Sequence, residues 1–477
     1  MPIPSPLKTP GVYVGETNAF PMSIATSATA VPVFIGTTEQ QPSTGSAPVL
    51  IASLLEYEKI FGRGFLSTCF VDASGEDSSS WVVKPSSTTT GAIDFGAPPP
   101  FSLYYALKWY FMEGGGPCYV VSIRGQWGKA TLADFVDLNS STSVLSQLNR
   151  LTGPTLVVPT DAISTAKYVT KSKQWDYQDV KAIYAQILSH CQEQRDRFAI
   201  LDVPDEDAAS VRAFADSLSL STGSESYGAA YYPLIYTSIP YDFQDATVTV
   251  QWNSGGSPTI TPLNDPVQGA TTKGSEVKRW LQNLRVVLPP SGGMAGVYAR
   301  VDRQQGVWKA PANVAFTGAI EPMRKILDTD QADLNAPDSG RAVNVVRQFT
   351  GRGTLVWGGR TLAGLSNDWR YINVRRLMIM IQDSIQSSLE SMVFEPNVAS
   401  TWTMATASID AFLNGLWQQG ALAGTKASDA YKVSVGLGLT MTAQDVLDGK
   451  MIVQIMVAPA RPAEFILLQF TQMLQTS

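Results

Sequence analysis

The sequence predicts a multidomain chain that joins an α/β part to an α+β part and carries extended β-arms at its ends. Three observations carry that expectation. Between Cys118 and Tyr236, apolar extended runs alternate with helical ones, as in a mostly parallel sheet covered by helices. Residues 341–477 read as strands followed by long amphipathic helices, which is an α+β pattern. Near the end, Gly449–Phe470 (GKMIVQIMVAPARPAEFILLQF) forms two hydrophobic runs, Met451–Ala458 and Ala463–Thr471, around the corner Pro459–Ala460–Arg461–Pro462.

Taken in order, Pro2, Pro4, Pro6 and Pro10 forbid a helix and predict an extended arm. Gly11–Glu16 reads as a short strand and Ala30–Gly36 as a strand buried on both faces. Leu54–Phe61 is a short helix. Residues 71–100, rich in Ser, Thr and Pro, form a surface excursion. Phe101–Glu113 is a helix stopped by Gly114–Gly116, and the strand Cys118–Ile123 follows at once. Strands Thr155–Pro159, Phe198–Val203 and Ala229–Tyr236 then alternate with helices Tyr177–Glu193 and Asp205–Leu218. Residues 240–272 break the rhythm as a β-hairpin insertion. Val286–Pro290 resumes it, with Ser291 opening a helix through Arg303. Acidic, proline-punctuated residues 321–338 read as a linker. Beyond it come strands Val343–Phe349 and Gly353–Gly358, helices Asp368–Ser391 and Thr401–Gln418, strand Tyr431–Leu437 and a short helix at Thr442–Leu447. In Asp368–Ser391, Ile372, Leu377, Ile381, Ile385 and Leu389 form an apolar stripe.

Composition narrows the classes of function. At 477 residues the chain exceeds one compact core. Hydrophobic content of 44% with 16% charged residues describes an ordered protein, and a net charge of −6 gives no overall nucleic-acid footprint. Cys69, Cys118 and Cys191 are odd in number and far apart, so reduced buried thiols are expected rather than a disulfide framework. The opening MPIPSPLKTPGVYV lacks the segments of a signal peptide, and no apolar run approaches a membrane span. Synthesis in the cytoplasm, without membrane insertion, is expected.

Several long motifs resemble the contractile tail sheath proteins of bacteriophages and of phage-tail-like injection systems. They are KTPGVYVGETNAFPMSIATSATAVPVFIGTTE near the start, LPPSGGMAGVYARVDRQQGVWKAPAN at 288–313, VWGGRTL at 356–362, WRYINVRRLMIMIQDSI at 369–385, FLNGLWQQGALAG at 412–424 and APARPAEFILLQF at 458–470. Residues 65–98 and 240–275 look like family-variable insertions. The resemblance implies a structural subunit that stacks as six-fold rings around an inner tube and contracts to drive that tube through a target envelope. It implies homo-oligomers or paralogous sheath subunits, an inner tube protein, and baseplate and cap proteins as partners, with no cofactor and no nucleic acid. It also implies an outer α/β domain, subtilisin-like in fold, and an inner α+β domain formed by both chain ends. The division then reads as 1–40 for the N-terminal arm and strands joining the inner domain, 41–320 for the outer domain, 321–340 for the linker, 341–448 for the inner domain and 449–477 for the C-terminal β-arm.

Arms that leave their own subunit for a neighbour's sheet are implied by the same resemblance, with Val12, Tyr13 and Val14 in the first and Phe465, Ile466, Leu467, Leu468 and Phe470 in the second. An unpaired hydrophobic edge near a chain end is a liability that such pairing removes. A local field of arginines adds a second candidate. Arg341, Arg347, Arg352, Arg360, Arg370, Arg375 and Arg376 face only Asp368 within their stretch. Two readings stand: a contact with the tube or a neighbour, with Arg370, Arg375 and Arg376 foremost, or internal ion pairs, including pairs to the acidic 328–338 segment. A degenerate subtilisin-like hydrolase is the competing class, and another tail or baseplate structural component is the alternative within the same machinery. His190 is the chain's one histidine and sits within a helix beside Cys191, and no G-x-S-x-G elbow is present, so neither a catalytic triad nor a metal cluster is expected. PPSGGMAG at 289–296 lacks the lysine and hydroxyl of a phosphate loop, which points to close helix packing instead.

Overall fold

The computed structural model describes residues 23–85, 92–137, 143–169, 174–254, 257–338 and 340–467. The expected strand Gly11–Glu16, with Val12, Tyr13 and Val14, lies outside them, as do Leu468 and Phe470. The chain divides into two compact units. One comprises Ala28–Ile379 and the residues from Pro462 onward; the other comprises Met380–Arg461 and the residues up to Ser27.

The first unit is built on a nine-stranded sheet. From one edge to the other its strands are Val314–Ala315, Gly353–Val356, Val343–Phe349, Gly228–Tyr232, Phe198–Asp202, Leu156–Val158, Pro32–Gly36, Cys118–Ser122 and Val49–Ile51. The six from Val343–Phe349 to Cys118–Ser122 run parallel, and the flanking strands are antiparallel. Pro32–Gly36, Phe198–Asp202 and Gly228–Tyr232 are buried at every residue, because helices cover both faces of a parallel sheet. The chain runs from Pro32–Gly36 to Cys118–Ser122 on one side and then returns to Leu156–Val158 on the other. That reversal is a topological switch point, where doubly wound sheets open a crevice at the carboxyl ends of their strands.

Helix Leu103–Met112 lies against helix Ser291–Gln305, and glycine makes the approach possible. A Cβ on Gly293 would fall 2.5 Å from the Trp109 ring, and one on Gly292 would fall 2.7 Å from Ala106 Cβ. The glycine-rich loop therefore serves helix packing, as its lack of a phosphate-binding lysine foretells. The two expected insertions form one body: strand Thr249–Ser254 runs parallel to Phe70–Ala73, with Thr249 opposite Phe70, inside a four-stranded sheet.

The domain division needs correction. Pro32–Gly36 lies within the nine-stranded sheet rather than with an inner domain, and so do Val343–Phe349 and Gly353–Val356. Ala230 pairs with Val343 across more than a hundred residues of chain, a contact no local pattern announces. Residues 321–340 are no linker. Asp328–Asn335 is a helix with Asp328 and Asp330 in its first turn, where acids suit the helix dipole. The boundary between the units falls instead at Ile379–Met380, inside the helix Ile372–Leu389.

The second unit contains helix Ala399–Gln418 and a two-stranded ribbon, Tyr431–Ser434 with Gln454–Val457. Helix Ala399–Gln418 buries Ala405, Ile409, Leu413 and Leu416 at helical spacing.

Candidate assembly site

The arginine run resolves into separate environments. Arg376 is 3% exposed: its guanidinium meets the Asp302 carboxylate at 2.5 Å, lies 4.5 Å over the Tyr298 ring and donates to Thr29 O at 2.9 Å. Arg375, 6% exposed, is held between Trp369 at 3.5 Å and Tyr227 at 4.2 Å and donates to Ser226 Oγ at 2.6 Å. Burial lowers its pKa to about 10. Arg370 is half-buried, donates to Ser366 O and Asn367 Oδ1, and lies over Tyr371. Arg347 pairs with Asp328, one of the internal pairs the sequence allows. Contact of Arg375 or Arg376 with a tube or neighbour is therefore corrected: both point into their own subunit. Aromatic rings and one aspartate far away in sequence hold them there.

Arg360 behaves differently, because three elements converge on it. Its main chain is clamped by Asn344 of strand Val343–Phe349, whose Oδ1 accepts from Arg360 N at 2.8 Å and whose Nδ2 donates to Arg360 O at 2.7 Å. A Cβ on Gly358 would strike Asn344 Oδ1 at 2.8 Å, so this clamp requires glycine in the VWGGRTL stretch. The buried Arg360 guanidinium donates to Gly364 O at 3.0 Å and reaches the carboxylate of Glu464 with Nε at 3.0 Å and Nη2 at 2.7 Å. Asn335, ending helix Asp328–Asn335, adds its amide at 2.7 Å, and Tyr371, just before helix Ile372–Leu389, adds its hydroxyl at 3.1 Å. Burial alone would raise the Glu464 pKa, but the donors from Arg360 and Asn335 carry it below its ordinary value. The bidentate fork is the strong form of such a pair.

The C-terminal stretch splits at its proline corner. Gln454–Val457 pairs within the chain, Val457 opposite Tyr431 and Gln454 opposite Ser434. Ala458 N donates to Ala430 O at 2.8 Å and Ala460 N to Ala421 O at 3.0 Å. The first of the two expected runs is therefore an intrachain strand, and a ribbon of two strands leaves an outer edge on each. The second is no strand where it is described: residues 462–467 belong to no ladder. Phe465, Ile466 and Leu467 are 72%, 77% and 91% exposed.

At the carboxyl edge of the sheet, buried aspartates accept hydrogen bonds from neighbouring loops and helix starts. Asp161, at the switch point, accepts from Thr37 N at 2.7 Å and from Ser102 N and Oγ at 2.9 Å each. Asp202 accepts from Ser291 N at 2.9 Å and Ser291 Oγ at 2.6 Å, at the start of helix Ser291–Gln305. Burial raises their pKa values to about 6 and about 7 respectively. A cavity of about 550 Å³, with Phe101, Trp175, Tyr177 and Pro204 in its wall, lies beside Asp161. His190 is buried with Nε2 3.2 Å from Arg197 Nη1, and burial, with that guanidinium, lowers its pKa to about 4.

Glu464 is the residue that sequence reasoning missed. The signal for it is a single carboxylate in the apolar run following the proline corner.

Two family models match the chain: the phage tail sheath protein central domain over residues 170–362 and the phage tail sheath C-terminal domain over residues 366–472. The tail sheath protein of Burkholderia phage BcepMu is 31% identical over 150 residues, which is 30% of this chain and only 31% of that protein's own length. Among solved structures, the chain is similar to the helical sheath of the anti-feeding prophage in its contracted state, at 30% identity and a TM-score of 0.63, covering 98% of this chain and 99% of that one. It is also similar to the sheath complex of an extracellular contractile injection system in its contracted state, at 29% identity and a TM-score of 0.64, covering 98% of each chain.

Proposed function

The chain belongs to the contractile tail sheath family, and from that premise we propose that it is the sheath subunit of a phage tail or phage-tail-like injection particle. It assembles as stacked six-fold rings around an inner tube protein, between baseplate and cap proteins, and the array contracts to drive the tube through a target envelope. The observation that carries this reading is the near full-length similarity to a helical sheath in its contracted state. In this reading the nine-stranded α/β unit corresponds to the outer, subtilisin-like domain, which its mostly parallel sheet supports.

The surface of the second unit supports assembly independently. Val393, Phe394, Val398, Met404, Leu437, Leu439, Leu447, Ile452 and Met456 are exposed within Met380–Arg461. Phe394 is fully exposed on a left-handed backbone with φ of 72°, a conformation that disfavours a bulky side chain. Large apolar side chains in this density mark surfaces that neighbouring chains cover. The open edges of the two-stranded ribbon offer main-chain donors and acceptors to an arriving strand, which joins subunits through backbone hydrogen bonds. Residues 12–14 and 465–470 are the arms proposed to make those additions. Contraction then needs no nucleotide: an extended array held as a kinetic trap is released when subunits repack and bury more surface.

Electron microscopy of the purified protein tests the reading. Striated hollow cylinders are expected for the full chain, and their loss is expected on truncation after Arg461. A truncated subunit that still polymerised into normal cylinders would remove the C-terminal arm from the proposal.

A further inference from the structure

We infer that the Arg360 pocket is the address read by the C-terminal arm, with Glu464 as its specificity-determining residue, and that subunits exchange this carboxylate. The inference rests on the sheath reading above and adds to it the residue pair that sets where the arm docks. The geometry points to recognition rather than to bulk adhesion. Residues 462–467 contribute no strand, and their apolar side chains at 465–467 face solvent, yet Glu464 accepts five hydrogen bonds from three residues, Arg360, Asn335 and Tyr371. One of the donors, Arg360, is buried and its main chain is clamped by Asn344, so the pocket is prepared in advance of its occupant. Between Gln454–Val457 and Glu464 lies a short connection with Pro459 and Pro462, which joins the paired ribbon to the segment that carries the carboxylate. An identical pocket on a neighbour presents the same donors, so exchange leaves the bond count unchanged, as in domain swapping.

Charge exchange distinguishes the possibilities. Four full-length proteins are compared by counting cylinders in micrographs at equal subunit concentration: R360E, E464R, the double variant R360E/E464R, and an equal mixture of the two single variants. Each single variant places like charges together, and about tenfold fewer cylinders or worse are expected from it alone. The double variant restores opposite charges and is expected to recover assembly. Exchange between subunits further predicts recovery in the mixture, because the E464R arm fits the R360E pocket and the R360E arm fits the unaltered one. Recovery in the mixture also shows that both single variants are folded.

Single variants that assemble like the parent protein would overturn the assignment while leaving the sheath reading intact. A double variant that recovers while the mixture does not would overturn exchange. Failure of both to recover would overturn charge pairing as the basis of docking. Absence of cylinders from the parent protein would instead count against the sheath reading itself.

Discussion

Two regions of this molecule hold carboxylates in opposite ways. At the carboxyl edge of the nine-stranded sheet, Asp161 and Asp202 accept backbone and hydroxyl hydrogen bonds, and burial raises their pKa values. On the C-terminal arm, Glu464 meets a guanidinium, and its pKa falls. The first arrangement ties helix starts to the carboxyl ends of the strands. The second ties a stretch of chain that forms no ladder and exposes its apolar neighbours. The aspartates are held without a cation inside the sheet's own unit, whereas Glu464 is held by an arginine more than a hundred residues away in sequence.

The largest effect that would break this comparison is on subunit stability. Asp202→Ala strands the Ser291 amide and hydroxyl without their acceptor, and a loss of about 2–4 kcal/mol in urea unfolding at neutral pH is expected. A loss below about 1 kcal/mol would mean the cap is dispensable and the contrast is unfounded.

Acid sharpens the comparison because the two regions respond with opposite signs. Asp202 has a folded pKa raised to about 7, so between its unfolded value and that point the folded state holds a proton the unfolded state lacks. Its contribution is complete below about pH 4 and declines by about 1.4 kcal/mol per pH unit as pH rises toward 7. The stability of the parent protein relative to Asp202→Asn should show this slope. Glu464 behaves inversely, since its pKa is depressed: its contribution is present above the ordinary value of 4.5 and is lost as pH falls through the folded value. Amide protection at residues 463–467, corrected for the intrinsic pH dependence of exchange, should therefore fall in acid, while that of the sheet does not fall in step. Parallel responses would break the comparison.

The smallest effect concerns the apolar side chains beside Glu464. Phe465→Ser should change the unfolding free energy of the unassembled subunit by no more than about 0.5 kcal/mol, because that ring is already in water. A loss above about 2 kcal/mol would mean that Phe465 is buried in the lone subunit.

Much of the α/β unit was legible from local pattern. Strands Cys118–Ser122, Leu156–Val158 and Phe198–Asp202 and helices Gln178–Gln194 and Ala208–Asp216 fall where the alternation places them, and Leu54–Phe61 is a helix at those residues, but the expected strand Ala229–Tyr236 is two strands, Gly228–Tyr232 and Ile235–Pro240, in different sheets. The loop at 289–296 lacked the chemistry of a phosphate site, and its glycines do serve helix packing. Charge was less legible. Arg375 and Arg376 looked like part of an exposed field because sequence counts charges without showing what covers them, and Trp369, Tyr227 and Asp302 cover them here. The 321–338 stretch looked like a linker because acids and prolines mark loops, yet Asp328 and Asp330 open a helix and Arg347 pairs with Asp328.

By itself the sequence determined many of the longer strands and helices, since periodicity, glycine stops and proline corners act over a few residues. Its long motifs also determined the family. The tertiary structure decided which strands share a sheet, where the units divide, and which charges are paired. Those outcomes depend on contacts between residues far apart in the chain: Ala230 beside Val343, Thr249 beside Phe70, and Arg360 holding Glu464. The Gly449–Phe470 stretch shows both sides. Its hydrophobicity and proline corner mark it as an arm, but only the fold reveals that one half is already paired and that Glu464 in the other meets Arg360.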